Sequence, residues 1–148
     1  MITVLFVRHA DIEVPPPIGN PNPSLTAKGV IRANELARVT EPAGITTIFT
    51  SELKRTKETA APLAARLNLP QQPSVVPALA EFAAGVRAGL YGPVVLVIGH
   101  TNTVPPMIDA LVTPQPGVTI QGFDNLFIVL LAAGESQLVR LKYGPPSG

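Results

Sequence analysis

Both histidines of this 148-residue chain directly follow an apolar segment that has the composition of a buried strand. Arg8 and His9 follow the segment ITVLFV, and His100 follows VVLVIG. Arg55 lies shortly after a third such segment, TTIFT. Ligands of open α/β sheets bind at the carboxyl ends of the strands, so we expect these four side chains to converge if the three strands are neighbours.

Convergence of these side chains predicts a site for a phosphate group. Guanidinium groups match the geometry of phosphate oxygens, and few carboxylates lie nearby in the sequence to neutralise them. One imidazole could attack phosphorus as a nucleophile, provided that a hydrogen bond holds its other nitrogen. The second imidazole and the arginines could stabilise the charge on the transferring phosphoryl group. The N-termini of the helices that follow Ser51 and Thr101 would add backbone N–H groups that donate hydrogen bonds to the phosphate.

Apolar segments typical of strands alternate with helical patterns along the chain. Strands are predicted at 2–7, 46–50, 94–98, 126–131 and 137–141, and helices at 26–39, 53–67, 78–90 and 103–112. This alternation, with continuous apolar strands, predicts an α/β three-layer sandwich with a mainly parallel central sheet and an antiparallel hairpin near the C-terminus. We expect residues 1–143 to form a single domain and residues 144–148 to be a loose tail.

Residue types predict several local features. Ser51 has a side chain suited to cap the second helix, and Pro62 predicts a kink or break within that helix. A brief strand is predicted at Val75–Val76. Asp11, at the start of a proline-rich loop, is expected to be solvated or to form a turn, and Arg32, on the first helix, is expected to face solvent.

The composition excludes several classes of protein. A net charge of +1 gives no bulk attraction to nucleic acid or to anionic membranes, and no apolar stretch reaches the roughly 18 residues of a transmembrane helix. The chain has no cysteine, and its two histidines and scattered acids form no convincing set of metal ligands. We therefore expect a cytoplasmic protein that acts without nucleic acid, membrane or metal, and the sequence does not predict its oligomeric state.

Four short motifs resemble, in order, those of the histidine phosphatase superfamily, whose fold is also called phosphoglycerate-mutase-like. They are VRHA at residues 7–10, LTAKG at 25–29, SELKRTKETA at 51–60 and VIGH at 97–100. The C-terminal region, with FDNLF at 123–127, is similar to a compact bacterial branch that resembles the short protein phosphohistidine phosphatases. The resemblance extends over nearly the whole chain.

The resemblance implies a role for each matching residue. His9 would become a phosphohistidine, and Arg8, Arg55 and His100 would bind the phosphoryl group. Water would then release phosphate in a second step, without a metal or other cofactor. Glu81 is the one carboxylate between the SELKRTKETA motif and His100, and it could be the general acid that many members carry or an ordinary exposed residue of its helix.

Two classes of function remain open at this point. The first is a phosphatase that acts on a phosphomonoester or a phosphoramidate, in either a small molecule or a phosphoprotein. The second is a phosphate-binding or regulatory module on the same fold, with little or no turnover. A phosphoglycerate mutase is not expected, because a mutase must exclude water and the chain has little sequence for a lid. The proline-rich loop at 14–23 could be a rigid lip of the site or a plain connector.

Overall fold

The apolar segment near the start of the chain forms the central strand of a five-stranded sheet in the computed structural model, which describes residues 1–70 and 76–148. The strands are β1 (Ile2–Arg8), β2 (Thr47–Phe49), β3 (Val94–Gly99), β4 (Asn125–Ala132) and β5 (Glu135–Lys142). The α-helices are α1 (Ala27–Thr40), α2 (Lys54–Leu67), α3 (Leu79–Arg87) and α4 (Val104–Leu111). None of the helices in these two ranges is long and apolar enough to cross a membrane.

The order of the strands in the sheet is β2-β3-β1-β4-β5. β1 and β2 both pair with β3 in parallel, whereas β4 runs antiparallel to β1 and β5 antiparallel to β4. The predicted α/β class with a C-terminal antiparallel hairpin is confirmed, and the hairpin joins the same sheet, which is therefore mixed. Arg8 lies opposite Gly99 in the parallel pair of β1 and β3, so His9 and His100 leave the sheet at the same edge.

The sheet separates two hydrophobic cores. The core between the sheet and helices α3 and α4 includes Val4, Phe6, Val95, Val97, Phe82 and Met107. The core between the sheet and helices α1 and α2 includes Leu5, Val7, Leu96, Ile98, Leu36 and Leu63. Burial on both faces explains why β1 and β3 are continuous apolar segments, and it produces the three layers that the sequence predicts.

Helix α2 begins at Lys54, one residue after the predicted start, and Ser51 does not cap it. The backbone N–H of Lys54, at the start of the helix, donates a hydrogen bond to Oδ1 of Asn22 at 3.0 Å. The cap therefore comes from the proline-rich loop, far away in the sequence. The same contact fixes that loop against the first turn of α2, where Arg55 lies.

Pro62 does not break α2, which continues without interruption to its last residue. Ala60 and Leu63, on either side of the proline, are fully buried and hold the helix in the second core. Packing of these side chains outweighs the hydrogen bond that a proline removes from a helix interior. The strand predicted at Val75–Val76 lies partly outside the described residues, and Val76 belongs to no strand.

Asp11, which was expected to be solvated or to form a turn, and Arg32, which was expected to face solvent, form a buried ion pair. Nε of Arg32 donates to Oδ1 of Asp11 at 2.6 Å, and Arg32 is 0% exposed. Nη1 of Arg32 also donates to the backbone carbonyl of Tyr143 at 3.1 Å. The expectation is wrong because a charge can be buried when a charged partner and further hydrogen bonds compensate it. The pair fixes the segment after His9 to α1.

Residues 144–148 are not the loose tail that the sequence predicts. Oγ of Ser147 accepts a hydrogen bond from the backbone N–H of Phe123 at 3.0 Å. The backbone N–H of Ser147 donates to Oδ2 of Asp124 at 3.2 Å. A short polar segment without apolar periodicity gives no sign of such contacts, but here it finds hydrogen-bond partners in the loop before β4. The tail therefore supports Phe123.

Candidate active site

His9 is the first residue after β1 and is only 3% exposed. Its backbone N–H donates to the carbonyl of Gly99 at 2.9 Å, which extends the pairing of β1 and β3 by one residue. Its Nδ1 lies 2.8 Å from the backbone carbonyl oxygen of Ala10. Because a carbonyl oxygen can only accept a hydrogen bond, Nδ1 carries the proton, and Nε2 keeps the lone pair that a nucleophile needs.

The surroundings of His9 favour the uncharged imidazole. Burial lowers the pKa of His9 from the ordinary value of 6.5 to about 4, although the hydrogen bond to Ala10 opposes this shift. The value of about 4 already includes the smaller lowering effects of the charges of Arg8, His100 and Arg55. The imidazole is therefore neutral at pH 7 and needs no separate base to remove a proton from it.

The lowered pKa of His9 predicts that the stability of the protein falls in mild acid. Below pH 6.5 the unfolded chain gains a proton on His9 that the folded chain does not bind until about pH 4. A change from pH 7 to pH 5 should lower the free energy of unfolding by about 2 kcal/mol through this residue alone. Urea denaturation of the wild type and of His9→Asn at both pH values measures the effect. An equal loss of stability in the two proteins would contradict the lowered pKa.

His100 lies beside His9, with the centroids of the two rings 5.3 Å apart. Nε2 of His100 is 3.0 Å from Oγ of Ser51, so the serine that was predicted to cap a helix instead orients an imidazole. Burial lowers the pKa of His100, and the charges of Arg55 and Arg8 lower it further. The structure thus brings together the two histidines that the sequence placed at separate strand ends.

Arg8 is oriented by the loop before β4. Its Nη1 donates to the backbone carbonyl of Gly122 at 3.0 Å, and its guanidinium carbon lies 4.0 Å from the centroid of the Phe123 ring. The Phe123 ring is also 5.8 Å, between centroids, from the ring of His9. Phe123 was not predicted as a site residue, because an aromatic residue in a loop carries no sequence signal for a contact with an arginine more than one hundred residues away.

Arg55 lies in the first turn of α2, and its Nη2 donates to the backbone carbonyl of Pro21 at 2.8 Å. Thr59, one turn later, connects this helix to the segment after β1. Its hydroxyl donates to the backbone carbonyl of Arg55 at 2.6 Å and accepts from the backbone N–H of Ala10 at 2.8 Å. Thr59 therefore fixes the helix that carries Arg55 relative to the segment that holds His9, a role that sequence reasoning missed.

Among the described residues, no carboxylate forms an ion pair with either arginine of the site. Asp11 pairs with Arg32, and Glu58 accepts hydrogen bonds from the loop before α1. Burial lowers the pKa of Arg8, the charge of Asp11 opposes this shift, and the charge of Arg55 adds to it. Within residues 1–70 and 76–148, Nε of both arginines is buried without a hydrogen-bond partner. Two guanidinium groups held together in this way favour an anionic ligand.

Glu81 and Thr101 are less closely integrated into the site. Glu81 is exposed in the first turn of α3, and no hydrogen bond or ion pair joins it to the two histidines or two arginines. Thr101 is exposed in the turn that connects His100 to α4.

In the described part of the chain, no group of three or more His, Cys, Asp and Glu side chains is arranged to hold a metal ion.

Comparison with known proteins gives one match to a family. A model of the histidine phosphatase superfamily (branch 1) matches residues 4–95, which is more than half of the chain. The matched region contains Arg8, His9 and Arg55, and ends just before His100. Among curated proteins, none matches the sequence.

Solved structures share the fold over nearly the whole length of the chain. The protein histidine phosphatase SixA, complexed with tungstate, is 20% identical with a TM-score of 0.77, and the match covers 95% of this chain and 97% of that one. A putative alpha-ribazole-5'-P phosphatase from Escherichia coli is 15% identical with a TM-score of 0.75, covering 95% and 96%. A mycobacterial glucosyl-3-phosphoglycerate phosphatase complexed with VO3 is 14% identical with a TM-score of 0.73, covering 96% and 99%.

Proposed function

Because the chain belongs to the histidine phosphatase superfamily, we propose that it is a metal-independent phosphatase that works through a phosphohistidine on His9. The observation that carries the proposal is the state of this imidazole. The hydrogen bond from Nδ1 to Ala10 leaves Nε2 unprotonated, near two guanidinium groups that pair with no carboxylate in the described part of the chain. A protein that only binds phosphate needs the arginines, but it has no use for a neutral imidazole held in this way.

The proposed reaction has two steps. In the first, Nε2 of His9 attacks phosphorus, a P–N bond forms, and the bond between phosphorus and the leaving group breaks. Arg8, Arg55 and His100 bind the phosphoryl oxygens and stabilise the charge that spreads over them. In the second step, water attacks the phosphohistidine and releases inorganic phosphate, which restores His9. We also propose that the backbone N–H of Thr101 donates to the phosphate.

The substrate is proposed to be a phosphomonoester or a phosphoramidate, carried by a small molecule or by a phosphoprotein. The similar structures are described as phosphatases of phosphohistidine in a protein, of alpha-ribazole-5'-P and of glucosyl-3-phosphoglycerate. The substrates named in these descriptions all carry a phosphate group, but their leaving groups differ. This supports transfer of the phosphate to water as the chemistry that these proteins share.

Arg55→Ala should weaken the binding of inorganic phosphate by about 10- to 100-fold, because a charge-assisted hydrogen bond is worth roughly 1.5–3 kcal/mol. Arg55 is partly buried, and its Nε has no other partner among the described residues. Titration calorimetry with phosphate measures the loss. Lys54→Ala is the matched control, because Lys54 is the neighbouring cation and is exposed. Equal affinities for the two variants would remove Arg55 from the phosphate site.

Glu81 is proposed as the general acid that protonates the leaving group, since it is the one carboxylate in the sequence between Glu58 and His100. Glu81→Gln should lower kcat for an alkyl phosphate by about 10²-fold, the lower end of the usual contribution of a general acid. The effect on p-nitrophenyl phosphate should be much smaller, because its leaving group departs without a proton. Glu135→Gln, an exposed glutamate in the β4–β5 hairpin, is the control. Equal effects on the two substrates would reject Glu81 as the acid.

Hydrolysis of p-nitrophenyl phosphate in the presence of EDTA tests the proposed function. The wild type should release p-nitrophenol at the same rate with and without the chelator. The reason is that its own arginines and imidazoles supply the groups that bind the phosphoryl oxygens. Loss of the activity on chelation, with recovery on addition of a divalent cation, would contradict the metal-independent reaction. Absence of hydrolysis both here and with a phosphohistidine peptide would favour the alternative of a phosphate-binding or regulatory module.

A further inference from the structure

A cavity of about 310 Å³ lies beside His100, on the side of the sheet that is covered by α3 and α4. Its walls come from the end of β3, the first turns of α4 and the residues at the start of α3. Most of the wall is apolar, formed by Val76, Pro77, Leu79, Ile98, Pro106 and Met107. The volume lies near the lower end of the roughly 300–1,000 Å³ range of small-molecule sites, so the cavity suits a small organic group.

The cavity contrasts in charge with the phosphate site next to it. None of its described polar lining residues carries a fixed charge, and they are His100, Thr50, Ser51, Asn102 and Thr103. No described aspartate, glutamate, lysine or arginine contributes to its wall. An anionic group that entered this cavity would lose its hydration without gaining a cationic partner, which is costly.

The cavity and the phosphate site share one boundary. His100 and Ser51, whose Nε2 and Oγ atoms are 3.0 Å apart, both line the cavity, and the His100 ring lies 5.3 Å from the His9 ring. A group joined to a phosphate on the His9 side therefore reaches the cavity across this pair. Phe123, whose ring lies 5.8 Å from the His9 ring between centroids, and Arg8, which contacts Phe123, are not part of the cavity wall.

We propose that this cavity receives the leaving group, and that the enzyme selects small, uncharged and largely apolar leaving groups over those that carry a second anion. The inference rests on the proposed phosphatase function and specifies its substrate class. Leu79 and Met107 are the side chains that would contact the apolar group. A carboxylate at the same position would find no arginine or lysine among the described lining residues.

The test compares two alkyl phosphates that differ only at the far end of the leaving group, 3-phenylpropyl phosphate and 4-phosphooxybutanoate. Both release a primary alcohol, so the reacting bond is closely matched. We expect kcat/KM to be at least about 10-fold higher for the phenylpropyl ester, the size of discrimination that burial in an apolar pocket supplies. Equal values, or a preference for the carboxylate, would overturn the inference while the hydrolysis itself upheld the proposed function.

Substitution at the mouth of the cavity tests whether the preference for the phenylpropyl ester arises there. Leu79→Lys adds a cation at a position that is 44% exposed, so the fold should tolerate it, and it should lower the preference for the phenylpropyl ester several-fold. Leu90→Lys is the control, because Leu90 is 73% exposed and lies outside the cavity wall. If the two variants kept the same preference, the cavity would not be the leaving-group site. If the wild type hydrolysed neither ester nor p-nitrophenyl phosphate, the proposed function itself would fail.

Discussion

His9→Asn is expected to lower kcat for p-nitrophenyl phosphate by about 10⁴-fold or more, as removal of a nucleophile does in enzymes that form covalent intermediates. The asparagine amide can still donate a hydrogen bond to the carbonyl of Ala10, as Nδ1 of His9 does. It has no equivalent of Nε2, so no atom remains that can attack phosphorus. The expected loss is therefore one of chemistry and not of local structure.

Binding of inorganic phosphate distinguishes loss of the nucleophile from damage to the local structure. Arg8 and Arg55 remain in His9→Asn, so phosphate affinity should stay within about 10-fold of the wild type. Circular dichroism spectra should coincide, because His9 lies at the end of a strand and belongs to neither hydrophobic core. Hydrolysis by the variant at a rate similar to that of the wild type would show that His9 is not the nucleophile.

Arg32→Met is expected to lower the free energy of unfolding by about 3–5 kcal/mol, the usual cost of removing one partner of a buried ion pair. The substitution leaves the carboxylate of Asp11, which is 7% exposed, without its cation. It also removes the hydrogen bond to the backbone carbonyl of Tyr143. Most of the expected cost comes from the uncompensated charge of the carboxylate.

Urea denaturation at pH 7 measures this cost, with Arg38→Met as the matched control. Arg38 also pairs with a carboxylate on α1, that of Glu35, but its side chain is 68% exposed. Water screens such a pair, so the control should be close to the wild type in stability. An Arg32→Met variant as stable as Arg38→Met would mean that the buried pair contributes nothing to the fold.

The sequence could predict that the two histidines and the arginines come together, because their meeting depends on the order of the strands alone. His9 and His100 each follow a continuous apolar strand, and the parallel register of Arg8 with Gly99 brings them to one edge. Apolar runs of this kind are strong signals for strands buried on both faces. The guanidinium of Arg55 joins the site because β2 is the next strand along the sheet and α2 follows it at once.

The contacts that orient the site could not be predicted, because each partner comes from a distant part of the chain. Phe123 contacts Arg8. Helix α2 is capped by Asn22 and not by Ser51, the residue predicted to cap it. A helical pattern also cannot show that Arg32 faces inward, since its partners lie in the segment after β1 and at the end of β5. Spacing in a sequence predicts elements and their buried faces, whereas such side-chain pairs depend on the three-dimensional packing.

Trapping of the covalent intermediate tests the central claim most directly. The wild type would be mixed briefly with an aryl phosphate that carries radiolabelled phosphate, denatured at once, and digested into peptides. We predict label on the peptide that contains His9, stable in alkali and lost in acid as expected for phosphohistidine, and no label in His9→Asn. Turnover of the substrate without any labelled peptide, or label on the peptide that contains His100 instead, would contradict the proposed mechanism.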